Sequence, residues 1–264
     1  MTFVKTFLPL VCAPLLAHDL YLMPRQFRAM PGQTIAVAFH NGDDFPEPDR
    51  PPKPENMLDA AVRIRSASRP FRNLRVDGKV LLADVPLASP GTALLSVRSR
   101  PNLIELDAAK FESYLKHEGL DHVVRWREEH RESAAVGRER YNKYVKSLVT
   151  VERGDGGFRT LAGFPIEIVP ESDPTSLKPG DTLSLRVFFR GRPAADLRIE
   201  AAWLTPEGKA HRKIAGRTDR EGKLDVAIGS RGTWKLHTVL MERCQEPSVA
   251  DWESFWTSLT FEIP

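Results

Sequence analysis

Thr182-Leu-Ser-Leu-Arg-Val-Phe-Phe189 alternates apolar and polar side chains, the pattern of a half-buried strand. Runs of the same kind follow at 197–204, 211–218, 223–228, 233–241 and 255–263, and one precedes it at 164–169. Pro179-Gly180, Pro206-Glu-Gly208, Glu221-Gly222 and Arg231-Gly232 separate them as turns. Seven short strands over roughly 100 residues predict a small β-sandwich of Ig-like or prealbumin-like kind.

The N-terminal part reads similarly. Residues 34–39, 61–65 and 93–98 are its clearest strand patterns, with Asp77-Gly78 and Pro90-Gly91 as turns. Phe45-Pro-Glu-Pro-Asp-Arg-Pro-Pro-Lys-Pro54 holds five prolines in ten residues, which predicts an extended, solvated loop. Between the two β regions the period changes. Asp107 is placed to cap a helix carrying Phe111, Tyr114 and Leu115, with Gly119 as its stop. Asp121 is placed to cap a second helix through Val123, Val124 and Trp126, and Tyr141, Tyr144, Val145 and Leu148 continue at helical spacing. The expected organisation is a signal segment at 1–17, an N-terminal β domain at 18–106, a helical insertion at 107–149 and a C-terminal Ig-like sandwich at 150–264. The fold class is mostly β, two sandwich-like domains with a helical insertion.

Composition narrows the function. The chain has 264 residues, 41% hydrophobic and 28% charged, which excludes general disorder and a multi-span membrane protein. Its 38 Lys+Arg against 35 Asp+Glu leave a net charge of +3, no footprint for nucleic acid. The 21 prolines suit a strand-rich chain with many loops.

Lys5 precedes an apolar run from Phe7 to Leu16 that ends at the small residue Ala17. That run is too short to span a bilayer and has the anatomy of a secretory signal, which predicts a periplasmic or secreted protein. Cleavage after Ala17 would remove Cys12 and leave Cys244 as the one remaining cysteine, a buried apolar filler with no internal disulfide.

The common catalytic signatures are missing: no Gly-x-Ser-x-Gly, no phosphate loop, no dinucleotide fingerprint. His117-Glu118 with His122 misses zinc-protease spacing by one residue, and Gly119 interrupts it. His18 is different. As a processed N-terminus it would offer its amine and its ring as a chelating pair to a divalent transition metal: nickel, cobalt or copper. Asp19 is placed to add a carboxylate. His40, in Phe39-His-Asn-Gly-Asp-Asp-Phe45, is a candidate partner, with Asp43 and Asp44 as neighbouring ligands or acceptors. His237 is a second candidate, inside a strand and on the face of Val239 and Met241; a core histidine is the competing reading.

Four segments occur in a telling order: Ala17-His-Asp-Leu-Tyr-Leu-Met-Pro24, Arg140-Tyr-Asn-Lys-Tyr-Val-Lys-Ser-Leu148, Phe164-Pro-Ile-Glu-Ile-Val-Pro170 with Asp173-Pro174, and Asp251-Trp-Glu-Ser-Phe-Trp256. This set resembles the exported NikM-like domain family, a domain of unknown function. The resemblance implies an exported β-sandwich protein associated with nickel or cobalt uptake, with a membrane transporter component as partner. His18 matches the histidine that follows the signal in that family. Its Val-His-Met is replaced here by Val239-Leu240-Met241, which shifts the expected ligand to His237. Trp252 and Trp256 match as packing residues. The expected function is non-catalytic handling of a divalent transition metal through His18. The alternative is an Ig-like scaffold that recognises a protein or glycan without metal. A copper enzyme built on the chelate ranks last, since no second catalytic constellation is visible.

Overall fold

Strand Gly137–Val151 organises the molecule. In a computed structural model that describes residues 18–264, it lies near the middle of a ten-stranded sheet. It pairs parallel with Trp252–Ile263 on one side and antiparallel with Gly91–Ser99 on the other. Beyond Trp252–Ile263 the sheet continues through Gly232–Arg243 and Arg198–Leu204 to Ala210–Arg217. Beyond Gly91–Ser99 it continues through Met57–Ile64 to Ala67–Pro70. The expected signal segment lies outside the described residues.

A four-stranded sheet covers one end of the large sheet, in the order Leu20–Pro24, Thr34–Asn41, Val80–Pro86 and Arg72–Asp77. Leu22, Val37, Phe39 and Leu81 pack there against Val62, Leu95, Val145 and Val149. A second small sheet, built on Ile166–Pro170 and Thr182–Phe189, covers the other end. Ile168, Leu183 and Val187 pack against Ile199, Trp234, Phe255 and Leu259. The molecule is therefore mostly β, two sandwich layers laid on one continuous sheet.

Two helices sit beside the sheet. Ala108–Glu118 is capped by Asp107, whose carboxylate accepts the Lys110 N–H at 2.9 Å, and it ends at left-handed Gly119. Asp121–Glu129 follows; Asp121 is its first residue rather than its cap, and its carboxylate pairs with Arg217. Phe111, Tyr114, Leu115 and Val123 pack on Val239, Met241, Trp252 and Trp256. Gly137 is needed for this fit, because a Cβ there would lie 2.2 Å from the Phe111 ring.

Two expectations are corrected. Residues 137–149 are strand, not helix, so the helical segment ends at Glu129. The helical spacing of Tyr141, Tyr144, Val145 and Leu148 misleads because the strand is buried on both faces, and such strands lose their alternation. The proline-rich loop is also not fully solvated. Phe45 is buried against Tyr21 and Ala202, and the Phe45–Pro46 bond is cis.

Candidate metal centre

The centre begins with strand register. Leu20–Pro24 pairs antiparallel with Thr34–Asn41, Leu20 opposite Asn41 and Tyr21 opposite His40. Residue 18 therefore meets the loop that leaves Asn41. The Gly42 N–H donates to the Asp19 carbonyl at 3.0 Å, and the Asp49 N–H donates to the Asn41 carbonyl at 3.0 Å. The loop thus starts and returns beside the same strand pair, with Phe45 as its apolar anchor, its ring 5.4 Å from that of Tyr21. Gly42 permits the closure: a Cβ would lie 2.7 Å from the Glu47 carbonyl oxygen.

The loop carries two carboxylates to one imidazole. His18 Nδ1 is 3.2 Å from Asp43 Oδ2 and 3.2 Å from Asp49 Oδ2. Among the described residues, this is the set whose ligand atoms all lie within 4.8 Å of one another. Lys143 holds the backbone beneath it. Its ammonium donates to the His18 carbonyl and, at 3.4 Å, to Asn41 Oδ1. Burial pushes the Lys143 ammonium down to about 8, with Asp19 and Asp43 acting in the opposite direction.

The other histidines lie elsewhere. His40 donates from Nδ1 to the Pro46 carbonyl at 2.8 Å, and burial pushes its ring below the usual histidine value. Asp44 is exposed and outside the converging set. His237 lies in a separate buried chain of charges. Its Nε2 is 3.3 Å from Asp19 Oδ1 and 3.4 Å from Glu118 Oε2. Lys235 pairs with the other Asp19 oxygen, and His117 lies 2.9 Å from Glu118 Oε1. Burial opposes the His237 charge, but Asp19 and Glu118 outweigh it and raise the ring above its usual value. The same cations outweigh burial at Asp19 and Glu118 and hold both carboxylates down. This chain fastens the end of helix Ala108–Glu118 to the sheet.

Asp49 is the ligand candidate that sequence reasoning missed. Its one local signal is that it is an acidic residue inside the proline run; only loop closure brings it to His18. One imidazole nitrogen and two carboxylate oxygens form a donor set suited to a divalent first-row cation. Tyr21 Oη, buried nearby, has no hydrogen-bond partner among the described residues.

Comparisons with known proteins bear on the family rather than the chemistry. No curated protein matches the sequence. A DUF4785 family protein from Legionella pneumophila is similar over 81% of this chain and 50% of its own, at 10% identity and a TM-score of 0.24. Trypsin-activated alpha-2-macroglobulin from Escherichia coli is similar over 95% of this chain and 16% of its own, at 12% identity and a TM-score of 0.25. The chain thus spans half or less of either solved structure. Residues 15–242 match the model of a domain of unknown function, DUF4198, and the chain belongs to that family.

Proposed function

We propose that this protein binds one divalent transition-metal ion through His18, Asp43 and Asp49, as an exported and non-catalytic metal-handling protein. The observation that carries this reading is the placement of His18 Nδ1 at 3.2 Å from each of two carboxylates supplied by a single loop. Processing after Ala17 would add the α-amine of His18 as a second nitrogen and favour nickel, cobalt or copper over harder cations. The NikM-like resemblance points to nickel and cobalt as the first ions to try. His40 and His237 have no part in this set.

The test uses protein exported through its own leader and purified without chelators. Native mass spectrometry reads the N-terminus and any bound ion, and calorimetric titration with nickel, cobalt and copper salts reads affinity. The expected result is saturable binding of one ion per chain, weakened at least tenfold in Asp43→Asn/Asp49→Asn, since two carboxylate ligands are lost. No saturable binding of any of the three ions would overturn the reading.

A further inference from the structure

A cavity lies between the proline loop and strand Gly137–Val151, lined by Arg50, Pro51 and Pro52 from the one and Tyr141 and Lys143 from the other. It encloses about 310 Å³, the size of a small ligand. Three cations line it: Lys143 at its floor, and Arg50 and Lys53 at its exposed mouth. Asn41, Asn56 and Asn102 add amide groups, and no carboxylate lines it. Among the described residues, Arg50 and Lys53 have no ion-pair partner, and no carboxylate lies within ion-pair distance of Lys143.

Lys143 is the telling residue. It is 7% exposed, and a buried ammonium is normally paired. Here its hydrogen bonds go to the His18 carbonyl and Asn41 Oδ1, both uncharged. The carboxylates that act on it from further away are engaged elsewhere: Asp19 with Lys235 and His237, Asp43 with His18, and Glu139 with Tyr114 and Ser254. Arg50 adds to the positive field at both Lys143 and Tyr141. The cavity is therefore positively charged from floor to mouth.

We infer that this cavity binds a small polycarboxylate anion, with one carboxylate at Lys143 and another between Arg50 and Lys53. The donors favour carboxylate over phosphate. Phosphate sites are usually cradled by rows of backbone N–H groups in glycine-rich turns or at helix N-termini. No glycine lines this cavity, and its charged donors are side chains, Arg50 and Lys53 from the proline loop and Lys143 from strand Gly137–Val151. The inference does not rest on the cation reading, since none of the three proposed cation ligands lines the cavity, although Lys143 touches both places by donating to the His18 carbonyl.

The test is calorimetric titration of the full chain, freed of metal, with citrate and separately with inorganic phosphate. Citrate is expected to bind saturably. Arg50→Gln/Lys53→Gln, two exposed changes that leave the core intact, should weaken it about tenfold or more. Asp43→Asn/Asp49→Asn should leave it unchanged or tighter, so that a failed cation site and a failed anion site give different results. Absence of saturable citrate binding, equal binding by the Arg50/Lys53 variant, or phosphate binding as tightly as citrate would each overturn the inference.

Discussion

Glu139→Gln should stabilise this protein by an amount that grows as pH rises from about 5 and levels off above about 7. Glu139 lies on strand Gly137–Val151, 1% exposed, beneath the helical segment. Tyr114 donates to its Oε1 at 3.0 Å, and Ser254 donates to the same oxygen. Oε2 has no partner among the described residues. Burial raises the carboxyl from 4.5 to about 7, and the two hydroxyl donors offset only part of that. A carboxyl whose folded value lies above its unfolded one stabilises the fold most below the unfolded value. That contribution is lost as pH rises through the folded value. Raising this carboxyl from 4.5 to about 7 is worth about 3 kcal/mol once both states are ionised. Glutamine keeps an acceptor for both hydroxyls and cannot ionise. Urea unfolding followed by tryptophan fluorescence should show little gain for the variant near pH 5 and about 2–3 kcal/mol more near pH 8.5. Because the comparison is between variant and parent at each pH, other titrating groups cancel. A gain that does not change with pH, or an equal loss at both values, would refute the reasoning.

Other perturbations test the remaining parts. His237→Gln should cost about 2 kcal/mol below pH 6, where the protonated ring joins Asp19 to Glu118. Because the His237 value is raised, that cost should shrink as pH rises through it, which thermal unfolding across pH would read. Lys146→Met removes the one cation paired with the buried Glu167 carboxylate, leaving it only the Ala162, Gly163 and Phe164 N–H donors, and should cost about 3 kcal/mol in urea unfolding. Gly42→Ala should destabilise by about 1–3 kcal/mol, because the added Cβ meets backbone, and should also abolish cation binding in the titration. Gly137→Ala should push Phe111 out of its seat and raise hydrogen exchange in helix Ala108–Glu118 while the central sheet stays protected.

Much of the architecture was legible because its determinants are local. Thr182–Phe189 is a strand with its expected bounds, and Leu183, Leu185 and Val187 form the buried face that its alternation predicts. Asp107 and Gly119 delimit their helix as cap and stop, since capping is settled within one turn of chain. His237 shares the face of Val239 and Met241, turned towards Trp256, as period-two reading required. The candidate site was legible in half. His18 was visible as a histidine between the apolar run and the first strand, and Asp43 as an acidic neighbour of His40.

By itself, the sequence determined the β class, the C-terminal strands and the two helices, the first with its cap and stop, and it singled out His18 as a candidate ligand. The tertiary structure alone decided that residues 137–151 are strand. It also joined both sandwiches through one sheet and drew Asp49 to His18 while His40 and His237 went elsewhere. The physical reason is range. Capping and alternation act over a few residues, so they are written locally. A strand buried on both faces has no solvent side to mark its period, and its lysines resemble surface residues until distant partners such as Glu167 are in place. Loop closure over Gly42 and Phe45 likewise depends on contacts with Tyr21 and Ala202, which no local pattern encodes.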